Sequence, residues 1–201
     1  RAMSSPNVQE KSSDSPLRWM MASEVAFLRA EGAMRGWTAE MGGSAGDFYN
    51  KGIELSFLEN GLSAAAAATY AADGTSKPAD FTDVSAANTK YNISARSTIT
   101  VKWVDGASEE EQLERIITQK WIAMFPNGTE AWSEFRRTGY PLIFPVRYNY
   151  PSSGVDTDTQ IRRMVFPQSE YSNNGAAVQE AVKLLGGPDN GGTKLWWDKK
   201  N

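Results

Sequence analysis

Beyond Ser15-Pro16-Leu17-Arg18-Trp19 the apolar positions fall into register: Met21, Val25, Leu28 and Gly32 line one stripe, with Phe27, Ala30 and Met34 beside it. That spacing predicts a helix from Ala22 to Arg35, with Glu31 and Arg35 one turn apart and Gly36 placed to end it. Ser44, with Asp47 three residues on, has the form of a helix-opening cap. The helix it opens carries Ala45, Phe48, Tyr49, Gly52, Ile53 and Leu55 and closes at Asn60-Gly61. Two amphipathic helices joined by a short turn make an antiparallel hairpin over 22–61, about the length of one tetratricopeptide unit. A lone pair of this kind cannot cover its own apolar faces, so it is expected to pack on something further.

Ser63 and the alanine run from Ala64 to Ala72 predict a short helix ending at Asp73-Gly74. From there to Thr98 the chain turns to Pro, Ser, Thr, Asn and Asp, with isolated Phe81 and Tyr91, and reads as a long loop over 73–98. Ile99 to Trp103 alternates like a short strand. Ser108 and Glu111 then cap a helix whose Leu113, Ile116, Ile117, Trp121 and Met124 mark a buried face. Pro126-Asn127-Gly128 breaks it, and a partner helix with Ala131, Trp132 and Phe135 inward runs to Gly139-Tyr140-Pro141, giving a second hairpin over 108–139.

The region 140–201 reads as extended chain, with short strands expected at Leu142 to Phe144 and Met164 to Phe166 and a last helix at Ala176 to Leu185. The terminal Leu195-Trp196-Trp197-Asp198 carries aromatics that need burial or a ligand. The expectation is therefore a single unit over 1–201, mainly α, with tetratricopeptide-like helical hairpins, long irregular loops and a few short strands.

Composition narrows the chemistry more than the fold. The 21 Lys and Arg against 24 Asp and Glu leave a net charge of −3, with no basic surface for nucleic acid. No run approaches the roughly 20 apolar residues that cross a bilayer. Histidine and cysteine are both absent, which removes Ser-His-Asp hydrolysis, His-based zinc sites, thiolate chemistry and disulfides. Glu109-Glu110-Glu111 with Glu114 could suggest paired glycosidase carboxylates, but acids in a first helical turn already offset the helix dipole. Asp156 and Asp158 supply too few oxygens for calcium. The sequons at Asn92 and Asn127 are short enough to arise by chance. No catalysis, cofactor or metal is expected.

Three stretches carry a known pattern: Glu24 to Glu31 with Gly36-Trp37; Ile117 to Ala123 running through Glu130-Ala131-Trp132 to Arg136-Arg137-Thr138-Gly139-Tyr140-Pro141; and Arg162-Arg163-Met164-Val165-Phe166-Pro167 with Glu170-Tyr171 and Asn174. Together with Leu195-Trp196-Trp197-Asp198 they resemble the SusD/RagB family. The resemblance implies a lipoprotein at the bacterial outer-membrane surface that binds oligosaccharides or polysaccharides and delivers them to a SusC-like TonB-dependent transporter. A peptide ligand, or a helical interaction scaffold, is the alternative. Complete members are longer and begin with a lipoprotein signal and an anchoring cysteine. The resemblance is therefore to their C-terminal portion, and it implies the N-terminal part of the same protein as a further partner, with membrane attachment only through a lipid anchor outside this chain.

Within the chain, sugar recognition calls for an aromatic face with amides or carboxylates beside it. Tyr70, Phe81, Tyr91 and Trp103, with Asp80, Asn88 and Asn92, have that chemistry and are the candidate ligand residues. Equally, they could pin the long loop to the helices. Trp121, Trp132 and Phe135 are expected in the core, and Arg136-Arg137 and Arg162-Arg163 are expected to tie down buried acids such as Glu130, Glu134 or Glu170.

Overall fold

A computed structural model of the chain describes residues 19–84, 86–146 and 154–199; the polar lead-in 1–18 and part of the aromatic stretch after Pro141 lie outside them. Among the described residues seven α-helices follow one another: α1 (Ala22–Met34), α2 (Thr38–Met41), α3 (Ala45–Glu59), α4 (Ala64–Ala71), α5 (Glu109–Ala123), α6 (Gly128–Thr138) and α7 (Gln168–Leu184).

Local chemistry sets most of these boundaries. The Ser44 and Ser63 hydroxyls accept from Asp47 and Ala66 N–H, Ser108 and Glu111 form a reciprocal capping box, and Asn127 accepts from Glu130 N–H. Helix α1 has no cap of its own. The Glu59 carboxylate, at the far end of α3, accepts instead from Ser23 N–H and Oγ at 3.0 and 2.6 Å, which ties the start of one helix to the end of its antiparallel partner.

The core lies where α1, α3, α4 and α5 meet, built from Phe27, Ala30, Tyr49, Ile53, Ala67, Leu113, Ile116 and Ile117. Gly52 sets the closeness of α1 to α3: a Cβ there would stand 2.7 Å from the Phe27 ring. Tyr49 is fully buried, meets Phe27 edge-on at 6.2 Å, and donates its hydroxyl to Val101 O at 2.6 Å. The polar handle is therefore satisfied while the ring contributes its burial.

The structure corrects several expectations. On α1 the buried face is Ala26, Phe27, Ala30 and Ala33 together with Glu24 and Glu31, whereas Val25 and Leu28 face outward. The charged residues turn inward because they have partners there, and that rotates the helix away from its apolar stripe. Trp121 is 39% exposed and Trp132 half-buried, so of the three expected core aromatics only Phe135 is buried. The three expected strands do not form. Ile99 to Trp103 alternates inward and outward as expected, but it lies across helices, with a single backbone bond from Lys102 N–H to Asp73 O. Phe166 N–H finds the Asp189 carboxylate in place of a neighbouring strand, and Ile143 N–H turns back to Pro141 O. Among the described residues the one β-type pairing is the isolated bridge between Phe81 and Ile93. The last helix starts earlier than the apolar pattern indicated, at Gln168, and is broken in φ/ψ at Asn174.

Charged side chains join α5 and α6 to α1. Lys120 of α5, 1% exposed, donates to Glu134 at 3.0 Å and lies 3.8 and 3.9 Å from Glu130 and Glu24. Arg137 of α6 grips Glu31 of α1 through both guanidinium arms, at 2.7 and 2.6 Å, and also donates to Glu134. Farther on, Arg162 pairs with Asp198, exchanges backbone contacts with Arg136, and Arg163 pairs with Asp189. Arg136 takes no carboxylate and lies against Trp132 and Trp197, 3.6 and 4.9 Å from the ring centres. The arginine pairs are structural, as expected, but Glu134 alone of the three anticipated acids meets one of them.

Burial would raise the Glu31 carboxyl, yet hydrogen bonds and charge from Arg137 and Arg35 outweigh it and hold the group below its usual range. Its contribution to stability is then complete above pH 4.5 and is lost as pH falls through the lower folded value. Glu24 acts in the opposite sense, because burial raises it and Lys120 offsets that only in part. Glu31→Gln should cost about 1–3 kcal/mol at pH 7. It should also give a shallower loss of melting temperature on acidification below pH 4.5, checked by calorimetry across pH. Gly52→Ala, which drives a methyl into Phe27, should lower stability by about 1–2 kcal/mol in urea unfolding, since overpacking outweighs the gain in helix propensity.

Candidate functional site

Helices α3 and α4 and the segment around Trp103 enclose an open cleft of about 790 Å3. Its floor is the alanine face of α4, and one wall is the outer stripe of α3: Asp47, Asn50, Lys51 and Glu54. Lys102, Trp103 and Asp105 form the other wall. The stripe follows from the same periodicity that buries Tyr49 and Ile53, read on the opposite side of the helix. Trp103 is fixed by packing at a tilt against Tyr49, with ring centres 5.1 Å apart, and by its indole N–H donating to Asp105 at 2.8 Å. Gly46 makes room for it, since a Cβ there would lie 2.7 Å from the indole. Lys51 pairs with Glu54 at 3.0 Å, and Asp47 accepts from Ser44 Oγ. Carboxylates, an amide and ammonium groups around a half-exposed indole supply donors and acceptors for a polyhydroxylated ligand.

The loop residues form a second cluster. Phe81 and Ile93 exchange backbone hydrogen bonds at 2.9 and 3.0 Å, Asp80 accepts from Ala95 N–H, and Asn92 accepts from Asp83 N–H. The Phe81 ring is 45% exposed and packs 6.2 Å from Phe144, while Lys90 lies over the Tyr91 ring. The side chain of Asn88 lies outside the described residues. Tyr70 faces inward from α4, 5.4 Å from the Phe57 ring, with its hydroxyl bonded to Gln119. Of the seven candidates, then, Trp103 lines the cleft, Asp80, Phe81, Tyr91 and Asn92 gather in the loop, and Tyr70 sits behind the cleft floor.

Asp47, Asn50, Lys51, Glu54 and Asp105 were not among the candidates. Four of them repeat at helical spacing on the polar side of α3, a signal present in the sequence but shared by any solvated helix face. Glu114, from the acidic helix start, is buried, accepts from Ser97 Oγ at 2.5 Å, and is raised by that burial. Glu110 accepts from the Tyr140 hydroxyl at 2.9 Å. Asp156 accepts from the N–H groups of Asp158 and Thr159 and so closes its own turn. Among the described residues no cluster of acids is arranged to hold a metal.

The family model for "SusD-like: Susd and RagB outer membrane lipoprotein" matches residues 1–198. The chain belongs to the SusD-like family. Solved SusD-like structures share its fold closely. A chitin-binding SusD homolog from Flavobacterium johnsoniae is 48% identical, with a TM-score of 0.81 over 90% of this chain and 36% of its own. A SusD-like protein from Bacteroides thetaiotaomicron is also 48% identical, with a TM-score of 0.84 over 93% of this chain and 38% of its own. A SusD homolog from Bacteroides uniformis is 47% identical, with a TM-score of 0.82 over 95% and 39%. This SusD-like chain thus spans less than half the length of these solved relatives. No curated protein matches it.

Because Gly46 seats Trp103 in the cleft wall of this SusD-like chain, Gly46→Ala should displace the indole. The expected result is an altered tryptophan emission spectrum and a net destabilisation of up to about 2 kcal/mol, with a gain of about 1 kcal/mol in helix propensity offsetting part of the clash. Unchanged emission would mean that Trp103 does not depend on the missing side chain.

Proposed function

We propose that this chain is part of a non-catalytic glycan-binding protein, held at the bacterial outer-membrane surface, that passes oligosaccharides to a SusC-like TonB-dependent transporter. The observation that carries the reading is the 48% identity with a chitin-binding SusD homolog across 90% of this chain. Membership of an outer-membrane lipoprotein family supports the location. The absence of His and Cys supports binding without chemistry, as does the use of the Glu109–Glu111 cluster to open α5.

In this reading the chain forms one unit with an N-terminal part of the same protein and contributes one edge of the ligand site. Phe81 and Tyr91 offer ring faces, with Asp80, Asn88 and Asn92 as polar neighbours. Trp103 and the polar wall of α3 offer a second set of contacts. Tyr70 acts from behind, by holding α4 against α5.

Calorimetric titration of the complete polypeptide with chitooligosaccharides and other oligosaccharides tests the proposal. Binding heat is expected, no new reducing ends should appear, and Phe81→Ala or Trp103→Ala should weaken affinity about tenfold, equivalent to about 1.4 kcal/mol. Heat with peptides and none with any oligosaccharide would replace glycan by peptide, and silence with both would leave a protein-interaction scaffold.

A further inference from the structure

A second cleft, of about 590 Å3, is walled by Trp121, Trp132, Ile161 and Met164 among others and offers a sugar hydroxyl almost nothing to replace its water. A smaller niche, of about 90 Å3, has mixed walls: Leu142, Ile143 and Phe135 supply carbon, while Arg96, Asp158 and Arg162 supply charge. Pockets that take a whole small ligand run from about 300 to 1,000 Å3, so this niche has room for one substituent of a sugar and not for its ring. Arg162 is 4% exposed and is held in place by Asp198. The Arg96 guanidinium and the Asp158 carboxylate stand 3.7 Å apart, too far for a direct hydrogen bond, and neither side chain has another partner among the described residues. A donor and an acceptor are thus both open to a group lodged in the niche.

The surroundings hold these two side chains in place beside an aromatic surface. Asp80 accepts from Ala95 N–H at 2.8 Å, which fixes the backbone just before Arg96. Asp156 accepts from the N–H groups of Asp158 and Thr159, and the turn ends at Gln160, whose φ of 56° lies in the left-handed region that few residues other than glycine adopt. Backbone held in that region clusters at ligand sites. Gln160 Nε2 donates to Phe144 O at 3.0 Å, and the Phe144 ring lies 6.2 Å from that of Phe81, both rings being exposed. The turn that carries Asp158 is therefore tied to the ring pair, and Ile143 leads from the niche directly into Phe144.

We infer that the niche receives the acetamido group of an N-acetylated sugar whose ring lies on Phe81 and Phe144. The charges of the lining cancel in pairs, Arg96 with Asp158 and Arg162 with Asp198, so a carboxylate or ammonium substituent meets no net counter-charge. A hydroxyl uses only the polar side. An acetamido group uses both: its methyl meets Leu142 and Ile143, its carbonyl oxygen accepts from Arg96, and its N–H donates to Asp158. Arg96 and Asp158 then set specificity, and Asp80 positions Arg96. The inference rests on the glycan reading above and adds to it the class of sugar.

The test is calorimetric titration of the complete polypeptide with two β-1,4-linked oligosaccharides of equal length, one bearing acetamido and the other hydroxyl at the second ring carbon. The acetylated ligand is expected to bind about tenfold more tightly or better. Arg96→Ala and Asp158→Ala, both at exposed side chains, should leave the melting temperature unchanged and bring the two affinities to within about twofold. Phe81→Ala should weaken both ligands alike. Equal affinities in the unaltered protein, or a preference that survives both substitutions, would overturn the inference while leaving glycan binding intact. Silence with every oligosaccharide would remove the glycan reading and the inference with it.

Discussion

Lys120 of α5 is almost wholly removed from water, and two other helices have to bring negative charge to it. Glu24 comes from α1, Glu130 and Glu134 come from α6, and Glu134 passes the network on to Arg137, which returns to α1 through Glu31. A buried ammonium without partners costs several kcal/mol, so the helices are constrained to the one arrangement that surrounds it. Apolar packing alone would let α1 roll about its axis, since its outward Val25 and Leu28 are as hydrophobic as several residues it buries. The ion network fixes the rotation, and with it the direction in which α3 presents its polar stripe.

That division of labour explains what could be read from the sequence. The helices were legible because caps and apolar periodicity act over three or four residues: Ser44, Ser63 and Ser108 start helices where they should, and Gly139-Tyr140-Pro141 follows the end of α6. The buried face of α1 was not legible, because Glu31 is drawn inward by an arginine 106 residues away. Trp121 was misplaced for a related reason. Helical spacing says that a residue shares a face with its neighbours, but not how far along the helix the covering element extends. The strands failed because alternation reports only that a segment is extended on a surface, and here the surface is helical. At the candidate site Trp103 was recognisable as an aromatic among polar residues, whereas its companions on α3 look like any solvated helix face until the cleft brings them together.

The two clefts divide the surface by chemistry. One is walled by carboxylates, an amide and ammonium groups around an indole; the other is walled by tryptophan, isoleucine and methionine. They draw on different helices, the first on α3 and α4 and the second on α5 and α6. The core centred on Phe27, Tyr49 and Ile117 therefore holds a wet face and a dry face in fixed relation.

The Arg162–Asp198 pair packs against α6, with Arg162 also donating to Arg136 O and Arg136 lying against Trp132 and Trp197. Ribosomes deliver a chain from its N-terminus, so Arg162 is made 36 residues before the carboxylate that neutralises it. Until Asp198 emerges, the guanidinium must stay hydrated and the segment around it must stay open. Helices α1 to α4 can settle earlier in translation, while this closure waits until the segment carrying Asp198 has been made, so the burial of Arg162 is completed late relative to the packing around Tyr49.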